Sequence, residues 1–433
     1  MNETRWPGFS RNDVALALLL ALLIFITDVS MTAARHNSVP GNPPFWAAVA
    51  TSLVFVAFIP LFLRARFSFG WFAGISFYSM MIGFFWLTYF GKEVYDHVLA
   101  RWSAVASLLL FLLPLLFQTI PSPKSLNLSP KAMDRLVLAL LGLVVVVLAL
   151  SASYGFALVG LTQSEGLRSA FPRPALLNYL IGSLLGAVLP FAFAYLALQR
   201  RYTLACIPIL LIWGFYPIVL NKSVVFGGVW LPFLLVLFCL FQPRRATILS
   251  LLLPMLPGII GYGLILFGII ADDGLFAHAS NFVLGNANIR LFAFPSIAMN
   301  QYSDFFATHP LTHFCQIGII RKIYGCPYPF QLGAAMAEAY NMGSLNGSLF
   351  ATEGIASVGP LWAPLSALIC GLIVSLGNSA SARLPAPLIA TSAGLAVHQA
   401  LLNVPLSASL LSNGVLVLFL LWAVTPRPEQ AKT

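Results

Sequence analysis

The sequence predicts an all-α fold: a polytopic bundle of about twelve membrane-spanning helices with one long extracytoplasmic loop containing short amphipathic helices. Three observations predict it. The composition is 59% hydrophobic and only 8% charged over 433 residues, whereas a soluble domain is roughly a quarter charged. Apolar runs of roughly 20 residues, enough to cross about 30 Å of hydrocarbon, recur from end to end. Most cations fall in alternate connections between those runs. The 32 glycines and 29 prolines suit the same class, because both are commoner in membrane helices than in soluble ones.

The runs begin near Val14, Trp46, Phe69, Ser103, Leu136, Leu176, Leu204, Val224, Ile248, Ser357, Ala386 and Leu406, each bounded by Pro, Gly or charge. The first lacks a small-residue cleavage site and reads as a span, not a removable signal. Residues 1–270 thus carry spans one to nine, 271–356 form a long extracytoplasmic loop, and 357–433 carry spans ten to twelve with a cytoplasmic tail. Asp28 lies within the first span near its outer end, where an interfacial position is expected over a proton relay. In the eleventh span, His398, Gln399 and Asn403 read as hydrogen-bonding residues between helices.

Placing the N-terminus inside puts Arg64, Arg66, Arg200, Arg201, Arg244, Arg245 and Arg383 among the cytoplasmic cations, and the Ala271 to Ala356 loop outside. The net charge of +10 is then a topology signal and gives no reason to expect nucleic acid. Arg35, Lys92, Arg101, Arg168, Arg173, Lys222, Arg290, Arg321 and Lys322 face outward against the usual bias, so they need a reason. Cys206, Cys239 and Cys370 sit in apolar stretches and read as small buried residues. Cys315 and Cys326 share the loop. A continuous helix would hold them about 16 Å apart, so a disulfide between them requires any helix to end at Gly325; bridged and free forms both stay open.

A loop of this length carries structure or function. Ser296 to Ala307 and Gln331 to Tyr340 each predict a short helix lying on the membrane surface, separated by His309-Pro310 and Cys326-Pro327. Arg290 is followed by Tyr302, and Arg321-Lys322 precede Tyr324, Tyr328 and Phe330. Aromatics beside outward arginines suit sugar rings next to a phosphate; an aromatic belt at the headgroups is the competing explanation. His278, His309 and His313 lack zinc spacing, and Asp272-Asp273 stand alone, so no metal or other cofactor is expected.

The order Arg290, Phe292, Pro295, Tyr302, Phe306, then Tyr328-Pro329, then Asn346-Gly347, Phe350, Glu353 and Gly359, with Asn221-Lys222-Ser223 between two earlier spans, resembles the Wzy-type O-antigen and exopolysaccharide repeat-unit polymerases. A xanthan-type exopolysaccharide polymerase is one such member. The resemblance covers the whole hydropathy profile and some ten residues of pattern. It implies a multi-pass protein of the bacterial inner membrane that joins undecaprenyl-pyrophosphate-linked oligosaccharide units at the periplasmic face. A flippase and a chain-length regulator of the same pathway are the implied partners.

That chemistry needs positive charge on the leaving pyrophosphate and a base for the attacking hydroxyl. Arg290 and Arg321 fit the first need, since guanidinium forks match phosphate oxygens. Arg168, Arg173 and Lys222 add outward charge, and Tyr302, Tyr328 and Asn346 complete the expected substrate contacts. Glu353, just before the tenth span, is the candidate base, with two alternatives open: an ion pair to Arg290 or Arg321, or Glu338 as the base instead. An O-antigen ligase, or a transporter or flippase of lipid-linked glycans, would share much of this pattern.

Overall fold

A computed structural model describes residues 11–35, 45–118, 127–160, 171–271, 274–340 and 346–426. The chain opens with α1 (Arg11–Arg35), then α2 (Phe45–Ser52) and α3 (Ile59–Arg64), joined through a 3-10 stretch, Leu53–Phe58. Seven long apolar helices follow: α4 (Phe69–Phe90), α5 (His97–Phe117), α6 (Pro130–Ala152), α7 (Ala175–Leu198), α8 (Tyr202–Val219), α9 (Lys222–Leu240) and α10 (Pro243–Leu266). Next come α11 (Leu275–Val283), a π-helical stretch Leu284–Ala293, α12 (Phe294–Thr308), α13 (Gly318–Tyr324) and α14 (Leu332–Tyr340). A π-helical turn, Phe350–Ala356, leads into α15 (Ser357–Ser381); α16 (Ala386–Leu395) continues as π-helix to Leu401, and α17 (Leu406–Leu411) and α18 (Val415–Val424) close the described chain.

Polar residues at the run boundaries start the helices. Side chains of Ser68, Asp96, Ser129 and Asn221 accept from the first free backbone N–H groups of α4, α5, α6 and α9, each cap contributing about 1 kcal/mol. Between its ends α4 is apolar all round and buried on nearly every side, the property of a helix at the centre of a bundle. At one end of the bundle the Arg244 guanidinium donates to the Ala65 carbonyl, and Arg201 pairs with Asp134 at 3.0 Å. These are cations the charge bias assigns to one side.

Among the described residues nine helices are long and apolar enough to cross a membrane, so the chain is a multi-pass helical membrane protein. They coincide with nine of the twelve apolar runs. The runs near Trp46, Ala386 and Leu406 instead form shorter helices: the first passes through 3-10 geometry, and the others are interrupted between Leu401 and Leu406 and between Leu411 and Val415. Pro405 and Gly414 (φ 75) stand at the last two interruptions. Of the three apolar-stretch cysteines only Cys370 is buried; Cys206 and Cys239 are exposed on the bundle surface.

Two segments enter the bundle and turn back within it. Ser280 lies against Gly261, and Asn288 against Gly258 and the Met255 carbonyl, so α11 and the π-helical stretch descend along α10 to its midpoint. Ser296 then donates to the Met80 carbonyl, halfway along α4, and Asn300 reaches Gly91 beyond the end of α4. The π-helix and Pro295 lie at the bend, as kinks require. The helix predicted at Ser296 to Ala307 therefore exists, but Pro295 to Ser303 are buried in the bundle and do not lie on a membrane surface.

The second segment climbs out. Phe350 packs on Phe77 and Phe111, ring centroids 5.5 and 5.1 Å away, near mid-bundle. Gly359 (φ 74, ψ 168) then reverses the chain, a backbone state that glycine adopts without penalty. Ser366 consequently donates to the Glu353 carbonyl at 2.8 Å across 13 residues, which a straight helix would hold about 20 Å apart.

Candidate active site

The site grows from the meeting of these two segments. Residues 346–348 are non-helical, and Gly347, Ser348 and Leu349 are buried; irregular backbone at this depth persists only where protein or a water-filled cavity surrounds it. A Cβ on Gly347 would lie 3.2 Å from the Tyr302 ring. The Tyr302 hydroxyl lies near the backbone N–H of Gly347 and within electrostatic range of Glu353.

Glu353 occupies the π-helical turn and is 5% exposed. Thr352 Oγ1 donates to its Oε2 at 2.5 Å. Its Oε1 has no hydrogen-bond partner among the described residues. Backbone N–H groups of Leu406 and Ser407, where the chain restarts as α17, lie toward the carboxylate but beyond hydrogen-bond geometry. A buried carboxylate with one open oxygen is costly to maintain, and no described arginine or lysine forms an ion pair with it. The anticipated pair with Arg321 is therefore absent. Glu338, the alternative base, is exposed on α14.

The other anticipated residues divide into two groups. Tyr302 is fully buried, its ring 5.9 Å from Phe306, which lies 5.9 Å from Tyr328. The Tyr328 hydroxyl donates to the Pro310 carbonyl at 2.7 Å, and Arg321 donates to the Tyr328 and Pro329 carbonyls at 2.8 Å each. Asn346 is half-buried next to Gly347. Contacts thus run from Tyr302 through Phe306 to Tyr328 and Arg321, and Glu353 acts electrostatically on the Tyr302 end of that chain. Arg321 itself is exposed, and one guanidinium nitrogen is committed to holding a turn.

Arg173 and Lys222 gather elsewhere. Arg173 donates to the Ile218 carbonyl at 2.9 Å, and half-buried Lys222 opens α9 after the left-handed Leu220 (φ 52). Gln399 donates to the Ser223 carbonyl at 3.0 Å, the interhelical bond expected of it, whereas His398 Nδ1 and Asn403 bond within their own segment. Arg168 lies outside the described residues, as does the side chain of Arg290, whose backbone belongs to the π-helical bend.

Cys315 and Cys326 form a disulfide with Cα atoms 5.3 Å apart. Gly325 (φ 78) ends α13 just before Cys326, which is what brings the two together. Thr312 donates from its N–H to the Ala356 carbonyl at 2.8 Å, seating this cross-linked lobe over the Gly359 reversal. At the outer end of α12, Asn300 donates to Glu93 at 2.5 Å, Tyr95 donates to Asn300, and Tyr340 donates to Asp304 at 2.6 Å. Burial pushes the Glu93 carboxyl up from its ordinary value, more than the Asn300 hydrogen bond brings it down.

Two features escaped the sequence reading. Asp28 is not interfacial: it is fully buried and accepts from Asn288 at 2.6 Å. The i+4 spacing to Thr32 was its only local signal. A cavity of about 280 Å³ also opens between α9 and α10, walled by Phe226, Trp230, Phe233 and Leu395 and reaching His398 and Gln399. Comparison with family models, curated proteins and solved structures finds no match.

Proposed function

We propose that this chain is a membrane glycosyltransferase that polymerises undecaprenyl-pyrophosphate-linked oligosaccharide repeat units into exopolysaccharide or O-antigen at the periplasmic face of the bacterial inner membrane. The observation that carries the reading is Glu353: a buried carboxylate with Oε1 open, at the contact of two segments that turn back within a membrane bundle. Such a group has little structural use and suits a general base.

In the proposed reaction Glu353 takes the proton from the nonreducing hydroxyl of one lipid-linked unit. That oxygen bonds to the anomeric carbon of the other glycan, the bond from this carbon to phosphate oxygen breaks, and undecaprenyl pyrophosphate leaves with the electron pair. Tyr302 and Thr352 hold the carboxylate side of the site. Arg173 and Lys222 supply charge for pyrophosphate, with Arg290 at the bend and Arg321 in the lobe as further candidates. The apolar cavity between α9 and α10 suits a polyprenyl chain reaching in from the bilayer, and the disulfide suits an oxidising periplasm.

Deletion of the protein from its host, followed by isolation of lipid-linked glycan, tests the reading. Single repeat units should accumulate on the lipid. Units polymerised to normal length but no longer joined to the lipid A core would identify a ligase. Units trapped on the cytoplasmic leaflet would identify a transporter, which broken helices meeting within the membrane also serve.

A further inference from the structure

We infer that Asp28, Thr32 and Asn288 form a binding site for one monovalent cation of the sodium class, separate from Glu353 and independent of the glycosyltransferase reading. Asp28 and Thr32 stand one turn apart on the same face of α1, and both are fully buried. Asn288 comes from the π-helical bend and is also fully buried. Its Nδ2 donates to Asp28 Oδ1 at 2.6 Å and to the Met255 carbonyl of α10 at 2.8 Å. Three helical elements therefore converge on one carboxylate.

What remains open in that cluster is all oxygen. Asp28 Oδ2, Thr32 Oγ1 and Asn288 Oδ1 are buried without hydrogen-bond partners among the described residues. Two of these atoms, the carboxylate and carboxamide oxygens, can only accept and so must be met by a donor or a cation. An uncompensated carboxylate at this depth is costly, and no described basic group pairs with Asp28. A bound cation answers both problems at once, supplying charge to the carboxylate and coordination to several hard oxygens. One carboxylate balances one positive charge; a divalent ion would leave an excess charge in the apolar interior.

The backbone fits the same purpose. A Cβ on Gly258 would fall 2.4 Å from Asn288 Oδ1, so only glycine lets α10 approach the carboxamide this closely. The π-helical geometry that presents Asn288 is itself frequent at ligand sites.

The test uses the full chain purified in detergent, with radioactive sodium as probe and choline as the inert control. Saturable sodium binding at one ion per chain, competed by lithium more strongly than by potassium, is the expected result. Asp28→Asn should abolish it, and Thr32→Val should weaken it roughly 10–100-fold, the usual loss for one supporting group at an ion site. Lys322→Ala, at an exposed position in the lobe, should leave it unchanged. Absence of saturable binding by folded wild-type protein would overturn the inference and assign a proton, a water or a basic side chain to Asp28. Because wild-type binding decides that outcome, failure of Asp28→Asn to fold would not shield the claim; Thr32→Val binding as tightly as wild type would also count against it.

Discussion

The cross-linked lobe at 311–330 and the buried arms at 284–306 and 346–356 belong to the same stretch between two spans, yet they treat their polar groups in opposite ways. In the lobe, Arg321 bonds two carbonyls, a disulfide closes the chain, and Ile319, Ile323, Tyr324 and Phe330 remain exposed. Its requirements are met locally or by water. In the arms, Glu353 Oε1, Ser348 Oγ and Asn288 Oδ1 are buried and have no hydrogen-bond partner among the described residues. Buried polar groups left open at a cost are where a ligand or a reaction is to be sought. The contrast separates two residues that the sequence pattern linked: in the proposed mechanism Glu353 serves the chemistry, whereas Arg321 holds the turn of the lobe.

The largest effect should come from Glu353→Gln, which keeps size and hydrogen bonding but removes basicity. Polymer formation should fall by about 10²–10⁴-fold with expression and thermal unfolding little changed. Glu338→Gln, on the exposed face of α14, should be neutral in the same assay; loss of activity there instead would invert the contrast between arm and lobe.

Backbone at the reversal comes next. Gly359→Ala must hold a Cβ at φ 74 and ψ 168, a region almost reserved for glycine, which costs about 1–3 kcal/mol, and it bears directly on the turn that returns Glu353 to Ser366. Lower thermal stability and lower activity together are expected. Unchanged stability would mean that the turn can relax without the arm.

Lobe substitutions should act on stability before rate. Removing the disulfide by Cys315→Ser should destabilise the lobe by about 3 kcal/mol, visible as new proteolytic cleavage within 316–330, with far less loss of polymer than Glu353→Gln causes. Arg321→Lys should have the smallest effect, about 1 kcal/mol, because an exposed ammonium replaces the one guanidinium nitrogen that donates to two carbonyls. If Arg321→Lys instead lowered turnover strongly with stability intact, the guanidinium would be a direct pyrophosphate ligand and the lobe would join the active site.

Much of the fold was legible because a membrane span announces itself locally. Runs beginning near Val14, Phe69, Ser103, Leu136, Leu176, Leu204, Val224, Ile248 and Ser357 became crossing-length helices, since run length and apolarity alone decide that outcome. Gly325 as the stop that lets Cys326 reach Cys315 was equally local. The buried arms were not legible. Ser296, Asn300 and Gln301 look like surface residues in sequence, and Ser296 and Asn300 gain their place from Met80 and Glu93, more than 200 residues away. Asp28 is the same case, because its partner Asn288 is 260 residues distant. Glu353 was identifiable as a candidate from its position before a span, but its separation from Arg321 and the exposure of Glu338 required the folded chain.

The most direct test of the central claim places purified protein in liposomes with a defined undecaprenyl-pyrophosphate-linked repeat unit and resolves the products by length. Wild-type protein should convert single units into a ladder of multiples with release of undecaprenyl pyrophosphate, and Glu353→Gln should leave the single unit almost untouched. A ladder formed equally well by Glu353→Gln would contradict the assignment of the base, and no ladder from folded wild-type protein would contradict the polymerase itself.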